Sequence, residues 1–231
     1  ALRSARASEP RVTCHGGHGS GAVRRRDDGR VEVLAEAPSA PLGAYPHVVN
    51  ALWADLHHVD RMAGVFPGRP GLQRRKFGVN IRSGAPPLPP TTCVLGPFGA
   101  VVSFPGGRSY LSWYPVCCTE TSGDLRMPRH WLDEPDAATR ARIRDETVER
   151  LARIMPGVAA VAADALETRV AGGPIVAWGR SDIDAPDSEL HRRFDVGVRT
   201  HWGNYHSVDT AKYTLAPLFA EDVARRIAGE A

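Results

Sequence analysis

The stretch GNYHSVDTAKYTLAPLFAEDVARRI, residues 203–227, decides how the fold of this chain is interpreted. It opens with a glycine-containing loop and continues with apolar residues at helical spacing, which predicts a final helix. We expect Ser207, Asp209 and Thr210 to lie in the first turn of that helix. Such a helix end directs unpaired backbone N–H groups and a positive dipole outward, where they stabilise electron-rich groups. Taken alone, an ordinary capped surface helix explains the same pattern.

Upstream, the segment His47–Trp53 reads HVVNALW and predicts a short buried strand. A helix over Ala54–Gly64 should follow, because its apolar residues recur at helical spacing and Gly64 can end it. The next part of the chain is rich in β-branched and aromatic residues, which predicts strands. We place these strands at Lys76–Ile81, Thr92–Leu95, Ala100–Phe104 and Arg108–Tyr114.

A long amphipathic helix is predicted from Asp133 to Met155, with one apolar stripe that can cover a sheet. We therefore expect a mixed α/β fold, with a sheet of about five to eight strands packed under this helix. Val48–Asn50 and Asp195–Val198 should be neighbouring strands beneath the C-terminal helix. Two further strands, separated by a turn at Ala171–Gly173, are expected at Leu166–Val170 and Pro174–Trp178.

The glycine run Gly17–Ala22 matches the pattern G-x-G-x-x-G/A of dinucleotide-binding loops. That pattern binds a pyrophosphate only where a helix leaves it, since the helix N-terminus holds the phosphates. Here an Asp-Gly turn joins the alternating segments Val23–Arg26 and Arg30–Leu34, which predicts a β-hairpin. We expect the run to bind no phosphate, so that Gly19→Ala leaves cofactor affinity nearly unchanged.

Charge and composition narrow the function classes. The chain has 231 residues, of which 42% are hydrophobic, and a formal net charge of +3. Its basic runs, residues 24–26 and 74–76, lack interleaved aromatic residues, so we interpret them as solvated surface and expect no nucleic-acid partner. No apolar run approaches the length of a membrane span. The cysteines lack metal-site spacing and suggest reduced thiols in the cytoplasm.

The order of these elements resembles FAD-dependent oxidoreductases of the D-amino-acid oxidase type, the group that includes glycine and sarcosine oxidases. The resemblance covers roughly residues 10–229 by order of elements. In that family a strand ending in V-N-A returns the chain to the FAD domain, and Val48–Ala51 fits it, although Leu52 and Trp53 stand where a glycine is usual. The resemblance implies FAD as cofactor and oxidation of a small molecule by hydride transfer to the flavin.

The same resemblance implies which residues contact the cofactor. In the family the C-terminal helix points at the N1–C2=O edge of the flavin, which makes the following residues FAD-binding candidates: Asn50, Ala51, Gly203, Asn204, Tyr205, His206, Ser207 and Thr210. The family's glycine fingerprint lies upstream of the first hairpin, so we expect the chain to match the C-terminal two thirds of such an enzyme. By itself it should be colourless or weakly yellow.

The implied organisation has three parts: a remaining part of the FAD-binding domain over residues 1–71, a substrate domain over 72–183, and a return to the FAD-binding domain over 184–231. The substrate domain lays its sheet over the flavin, so aromatic residues on it are wall candidates and two arginines are candidates for an acidic group. No catalytic base is predicted, since the flavin accepts the hydride. The substrate candidates are Tyr110, Trp113, Tyr114, Trp178, Arg108 and Arg180; core packing is the alternative for each aromatic.

Two histidine groups suggest a different class of function. His57, His58 and Asp60 resemble metal ligands, but neighbouring helical side chains diverge by about 100°, so we expect them to face solvent. His201 and His206 flank a loop without a third ligand. A metal-dependent hydrolase is therefore only the third hypothesis, and a noncatalytic remnant or interaction domain of the same fold is the second. We expect no bound metal and leave the oligomeric state open.

Overall fold

The computed structural model describes residues 12–15, 19–36, 40–66, 68–94, 98–191 and 196–230. The strands in these residues are β1 (Ser20–Arg25), β2 (Val31–Ala35), β3 (Pro41–Tyr45), β4 (Val48–Asn50), β5 (Gly71–Ser83), β6 (Thr91–Cys93), β7 (Gly99–Phe104), β8 (Arg108–Trp113), β9 (Cys118–Ser122), β10 (Ala165–Trp178), β11 (Gly197–His201) and β12 (Tyr205–Asp209). The α-helices are α1 (Leu56–Met62), α2 (Tyr114–Cys117), α3 (Ala137–Ala152), α4 (Gly157–Ala163) and α5 (Ala216–Ala228). Both classes of element are present, so the predicted mixed α/β fold is confirmed.

The largest sheet is six-stranded and antiparallel, in the order β10-β5-β8-β7-β6, with β9 also paired to β5. Successive side chains of a strand point to opposite faces, so alternate residues of β5 face α3 and α4. These residues pack with apolar side chains of β7, β8 and both helices into one core: Phe77, Val79, Ile81, Val101, Leu111, Ile143, Leu151 and Val158. The predicted sheet beneath a long helix is confirmed.

Helix α3 is shorter than predicted, because it begins at Ala137 and not at Asp133. Asp136 caps it, and its carboxylate accepts a hydrogen bond of 2.7 Å from the Thr139 backbone N–H. Pro135 explains the later start, since proline disfavours helical geometry in the residue before it.

The predicted turn at Ala171–Gly173 is wrong, because strand β10 continues through Gly172 and Gly173. This strand is matched along its length by β5. Gly172 permits this pairing, because a Cβ there would lie 2.1 Å from the carbonyl oxygen of Lys76. Gly172 therefore allows close approach of the two strands, where the local sequence suggested a turn.

A hairpin occupies the region after the glycine run, as predicted. β1 and β2 pair in antiparallel fashion around Gly29, whose φ is +80°, and β3 extends them to a three-stranded sheet. Gly17 and His18 lie outside the described residues. Gly19–Ala22 leads into a strand and not into a helix. Gly21 packs on the backbone at the end of β2, since a Cβ there would lie 2.8 Å from the carbonyl oxygen of Ala35.

The third sheet has the order β11-β12-β4, in which β12 is antiparallel to β11 and parallel to β4. The expected strands Val48–Asn50 and Asp195–Val198 thus share a sheet, but β12 separates them, and Asp195 itself lies outside the described residues. Ser207 and Asp209 belong to β12 and not to the predicted helical turn. Helix α5 begins only at Ala216. The strand prevails because every residue of β12 is buried between two pairing partners.

Candidate functional site

The carboxyl ends of the parallel strands β4 and β12 lie at the same edge of the small sheet. Each strand is followed by a non-glycine residue with positive φ, Trp53 at 54° and Ala211 at 48°. The chain then enters a short 3-10 helix in both cases. In α/β folds, ligands bind outside the carboxyl ends of parallel strands. The candidates Ala51 and Thr210 each follow directly after one of these two strands.

A buried polar network lies beneath that edge, centred on the carboxylate of Asp60. Asp60 Oδ1 accepts hydrogen bonds from Asn50 Nδ2 at 3.0 Å, the Tyr205 hydroxyl at 2.7 Å and the Ser207 hydroxyl at 2.6 Å. Asn50 Nδ2 also donates to the Tyr205 hydroxyl at 2.9 Å. Burial and the neighbouring Asp60 raise the pKa of Tyr205. The side chains of these three cofactor candidates are therefore engaged inside the protein.

The expectation that His57 and Asp60 face solvent is wrong. His57 is 2% exposed and Asp60 1% exposed. The His57 ring lies 4.0 Å from the ring of Trp178, and burial lowers the pKa of His57. The short helix α1 turns these residues toward the two sheets, which the local pattern of charged residues did not reveal.

Gly203 and Asn204 lie at the opposite end of β12, in the turn that joins it to β11. Gly203 has a φ of +82° and is exposed, and Asn204 Nδ2 donates at 2.8 Å to the carbonyl oxygens of Gly29 and Pro46. Asn204 thus connects this turn to the first hairpin. The structure does not bring these two candidates together with Ala51 and Thr210.

His206 pairs with a histidine that sequence analysis did not single out. Its ring stacks on His47 with centroids 5.5 Å apart, and its Nδ1 lies 3.1 Å from the Thr200 hydroxyl. Burial, together with the nearby His47, lowers the pKa of His206. Among the described residues, no group of three or more His, Cys, Asp or Glu side chains could hold a metal ion.

The face of the large sheet that α3 leaves uncovered carries a second polar cluster. The Arg74 guanidinium contacts Asp182 Oδ1 at 3.0 Å, and the Tyr114 hydroxyl donates to the same oxygen at 2.8 Å. Lys76 Nζ lies 5.0 Å from the centre of the Tyr114 ring. Desolvation lowers the pKa of Lys76 and raises that of Tyr114. Arg74 is 3% exposed and Arg75 is 9% exposed, so the interpretation of residues 74–76 as solvated surface is wrong for both arginines.

A cavity of about 560 Å³ lies over this cluster. Arg74, Lys76 and Tyr114 form part of its wall, and Lys212, from the connection between β12 and α5, forms another part. The cavity therefore lies between the open sheet face and the chain leaving β12. Buried Arg74 Nε has no hydrogen-bond partner among the described residues. A neighbouring cavity of about 780 Å³ also includes Tyr114 and adds Asp182 and Cys118.

The remaining substrate candidates lie in different surroundings. Trp113 packs against the core under α3, on the other side of the sheet. Trp178 is 4% exposed and donates from Nε1 to Asp209 Oδ2 at 3.1 Å, so it joins β10 to the end of β12. The Tyr110 ring covers Gly78, where an added Cβ would lie 2.2 Å from the ring. Arg180 is exposed.

Arg108 lies near the far end of the sheet and lines a separate cavity. Of the substrate candidates that the sequence suggested, only Tyr114 lines the 560 Å³ cavity. Arg74, Lys76, Asp182 and Lys212 were missed as site residues. The sequence signal that could have identified Arg74 and Lys76 is the alternation of side chains along β5, which places both residues on one face of a long strand.

Two of the comparisons with known proteins found nothing: no family model matches the chain, and no curated protein matches it. In the described part of the chain, no helix has the length and apolarity needed to cross a membrane. Solved structures provide the informative matches.

One is the dithionite-reduced L-α-glycerophosphate oxidase of Mycoplasma pneumoniae with FAD bound, which is 11% identical with a TM-score of 0.53 and aligns with 91% of this chain and 50% of its own. Another is iminodiacetate oxidase from Chelativorans sp. BNC1, 15% identical with a TM-score of 0.56, over 94% of this chain and 50% of its own. The chain thus spans about half the length of these structures. The chain therefore shares its fold with part of these two oxidases, one of which was solved with FAD bound, as the resemblance in its sequence implied.

Proposed function

We propose that the chain forms the substrate side and the isoalloxazine side of an FAD-dependent oxidoreductase of the D-amino-acid oxidase type. The single observation that carries the proposal is the 560 Å³ cavity between the cationic open face of the large sheet and the connection from β12 to α5. Residues 72–183 provide the substrate-facing sheet in this proposal. Residues 1–71 and 184–231 provide the flavin-facing elements.

The residues present fit one end of the cofactor. Helix α5 begins without a side-chain cap, but the Ala216 N–H donates to the Tyr213 carbonyl oxygen and Pro217 has no N–H, so Lys212 is the donor that this segment can offer to an external acceptor. Lys212 adds positive charge to the segment that leads to it. Such a donor suits the electron-rich edge of an isoalloxazine ring, and bound flavin would supply the hydride acceptor. Among the FAD-binding candidates, Ala51 and Thr210 are the ones that we expect to contact this edge of the ring.

The described part of the glycine run does not provide a comparable site for the pyrophosphate of the cofactor. The described part of the glycine run, Gly19–Ala22, enters strand β1, so it offers no helix N-terminus to a phosphate. We therefore assign contacts with the isoalloxazine ring to this chain and no contact with the pyrophosphate to the glycine run.

On the substrate side, Arg74 is the residue that we expect to bind an acidic group. Asp182 holds its Nη1, the buried Nε has no hydrogen-bond partner among the described residues, and the residue lines the cavity. A buried guanidinium favours an anion strongly, because an unpaired N–H group in a desolvated site is costly. Lys76 and the Tyr114 hydroxyl can orient the same ligand. The cavity favours Arg74 over Arg108 and Arg180 for this role.

The four cysteines at positions 14, 93, 117 and 118 are free thiols, which suits a reducing compartment. We place the protein in the cytoplasm on this ground.

The experiment is a comparison of Arg74→Met with Arg75→Met. Both arginines are buried and paired with a carboxylate, but Arg75 pairs with Glu120 and faces away from the cavity. With FAD in excess, anaerobic loss of oxidised-flavin absorbance is followed for a panel of small amino acids, hydroxy acids and organic phosphates. We expect Arg74→Met to slow flavin reduction by the best substrate at least about tenfold, while Arg75→Met does not. Equal rates in both variants would contradict the assignment.

A further inference from the structure

The strand register of the large sheet brings three arginines together on the open face, at the end opposite the proposed active site. Arg82 of β5 lies directly opposite Arg108 of β8, and Arg108 is opposite Phe104 of β7. Arg169 of β10 is opposite Asn80, two residues before Arg82 on the same face of β5. Facing residues of adjacent strands have Cβ atoms about 5 Å apart, so these long side chains reach a common space.

The charges in this group are not balanced. Glu167, opposite Arg82, is the one acidic residue in the described wall of the cavity that these residues line. Its contact with Arg82 is 3.4 Å long, with the two side chains 66% and 48% exposed, so it contributes little to stability. Like charges directly opposite one another in a sheet are destabilising. Arg82 and Arg108 form such a pair, and an external anion would convert their repulsion into attraction.

The space between these side chains is large enough for a small ligand. The three arginines border a cavity of about 470 Å³ that is also lined by Phe104, which is 50% exposed. Guanidinium groups recognise phosphoryl and carboxylate oxygens through paired hydrogen bonds. The cavity has no lining residue in common with the two cavities around Tyr114. Tyr110, folded over Gly78, lies on the sheet between the two regions.

We propose that Arg82, Arg108 and Arg169 form a second binding site, which takes a small multivalent anion with phosphoryl groups. This site is distinct from the proposed flavin and substrate cavity and does not depend on the proposed function. Two facing guanidinium groups provide paired donors for one phosphoryl group, and Arg169 reaches a second one. Phe104 lines the same cavity and limits the exposure of these contacts to water.

The test is calorimetric titration of the 231-residue chain with inorganic pyrophosphate, at low and at physiological salt. We expect the single variants Arg82→Ser, Arg108→Ser and Arg169→Ser each to weaken binding about tenfold or more, because each removes one charge-assisted contact. Arg142→Ser is the matched control, since Arg142 is exposed on α3 and pairs with Glu146. It removes the same charge outside the site and should weaken binding less than about twofold.

Glu167→Gln provides a test that misfolding cannot imitate. It removes the one acidic side chain of the described wall, so pyrophosphate should bind several-fold more tightly. Without any anion, Arg108→Ser should unfold at the same or a higher urea concentration than the unmodified chain, because it removes the Arg82–Arg108 repulsion. The proposal is overturned if pyrophosphate does not bind, if the three variants bind it as Arg142→Ser does, or if Glu167→Gln weakens binding.

Discussion

The large sheet and the small mixed sheet β11-β12-β4 are stabilised in different ways. Beneath α3, the large sheet is packed with apolar side chains, and residues such as Leu111 and Ile143 are completely buried. The small sheet has a buried carboxylate at its centre, and Asp60 connects β4 and β12 through Asn50, Tyr205 and Ser207. Apolar packing on one face leaves the other face of the large sheet free to carry cations. The polar network fixes the strand ends at which we place the flavin.

The largest expected effect is on the apolar side. Leu111→Ala removes a side chain that is 0% exposed and opens a cavity under α3. We expect the free energy of unfolding to fall by about 2–5 kcal/mol, measured by urea denaturation. Leu166→Ala, at a position 66% exposed on β10, should change it by less than about 0.5 kcal/mol. Similar losses in both variants would show that the core under α3 is not the main source of stability.

Asp60→Asn should have the next largest effect. The amide keeps an oxygen that can accept hydrogen bonds, but the three donors lose a charged acceptor, and charge-assisted bonds are about twice as strong as neutral ones. We expect a loss of about 1–3 kcal/mol in the free energy of unfolding at neutral pH. Asp145→Asn, whose carboxylate pairs with Arg144 at the surface, is the control and should lose less than about 0.5 kcal/mol. An unchanged stability of Asp60→Asn would contradict the role given to the network.

Tyr205→Phe examines one contact of the same network. It removes the hydroxyl that donates to Asp60 and accepts from Asn50, while the buried ring remains. We expect a loss of about 1–2 kcal/mol, measured by thermal and urea unfolding. Tyr213→Phe changes a side chain that is 77% exposed and should leave stability almost unchanged. If the two variants behave alike, the Tyr205 hydroxyl contributes nothing to the small sheet.

The smallest expected effect is a pH dependence. The pKa of buried His57 lies below its ordinary value of 6.5, mainly because burial disfavours the charged ring. As the pH falls through 6.5, the unfolded chain binds the proton first, so this group makes stability decrease toward acid. His57→Phe should therefore flatten the decrease between about pH 7 and pH 5. Leu111→Ala should leave the slope unchanged, and an unchanged slope in His57→Phe would show that this histidine does not titrate as described.

Local patterns predicted much of the large sheet and the outer strands of the small one, but they missed its central strand β12. The hairpin of β7 and β8 and the stripe of α3 follow from neighbouring residues, so sequence reasoning found them. Residues 205–209 resemble a helix start when considered locally, because their strand partners on β4 lie far away in the chain. The family resemblance identified the segment but not its conformation.

The polar cluster of Arg74, Tyr114 and Asp182 was not predicted, for the same reason. Arg74 and Arg75 look like a solvated basic run, and only the folded chain brings Asp182 to Arg74 across 108 positions. Tyr114 was found because an aromatic residue at a strand end is conspicuous without its partners. Burial of a charge depends on distant residues, so the sequence pattern alone could not separate Arg74 from surface arginines.

The central claim is that this chain contacts the isoalloxazine ring from the connection between β12 and α5. The most direct measurement is the fluorescence titration of riboflavin and of FAD with the chain, compared with Lys212→Glu and with the charge-matched control Arg25→Glu on the exposed side of β1. We predict dissociation constants for riboflavin and FAD that agree within about tenfold, and weaker binding of both only in Lys212→Glu. FAD bound far more tightly than riboflavin, or binding unaffected by Lys212→Glu, would contradict the claim.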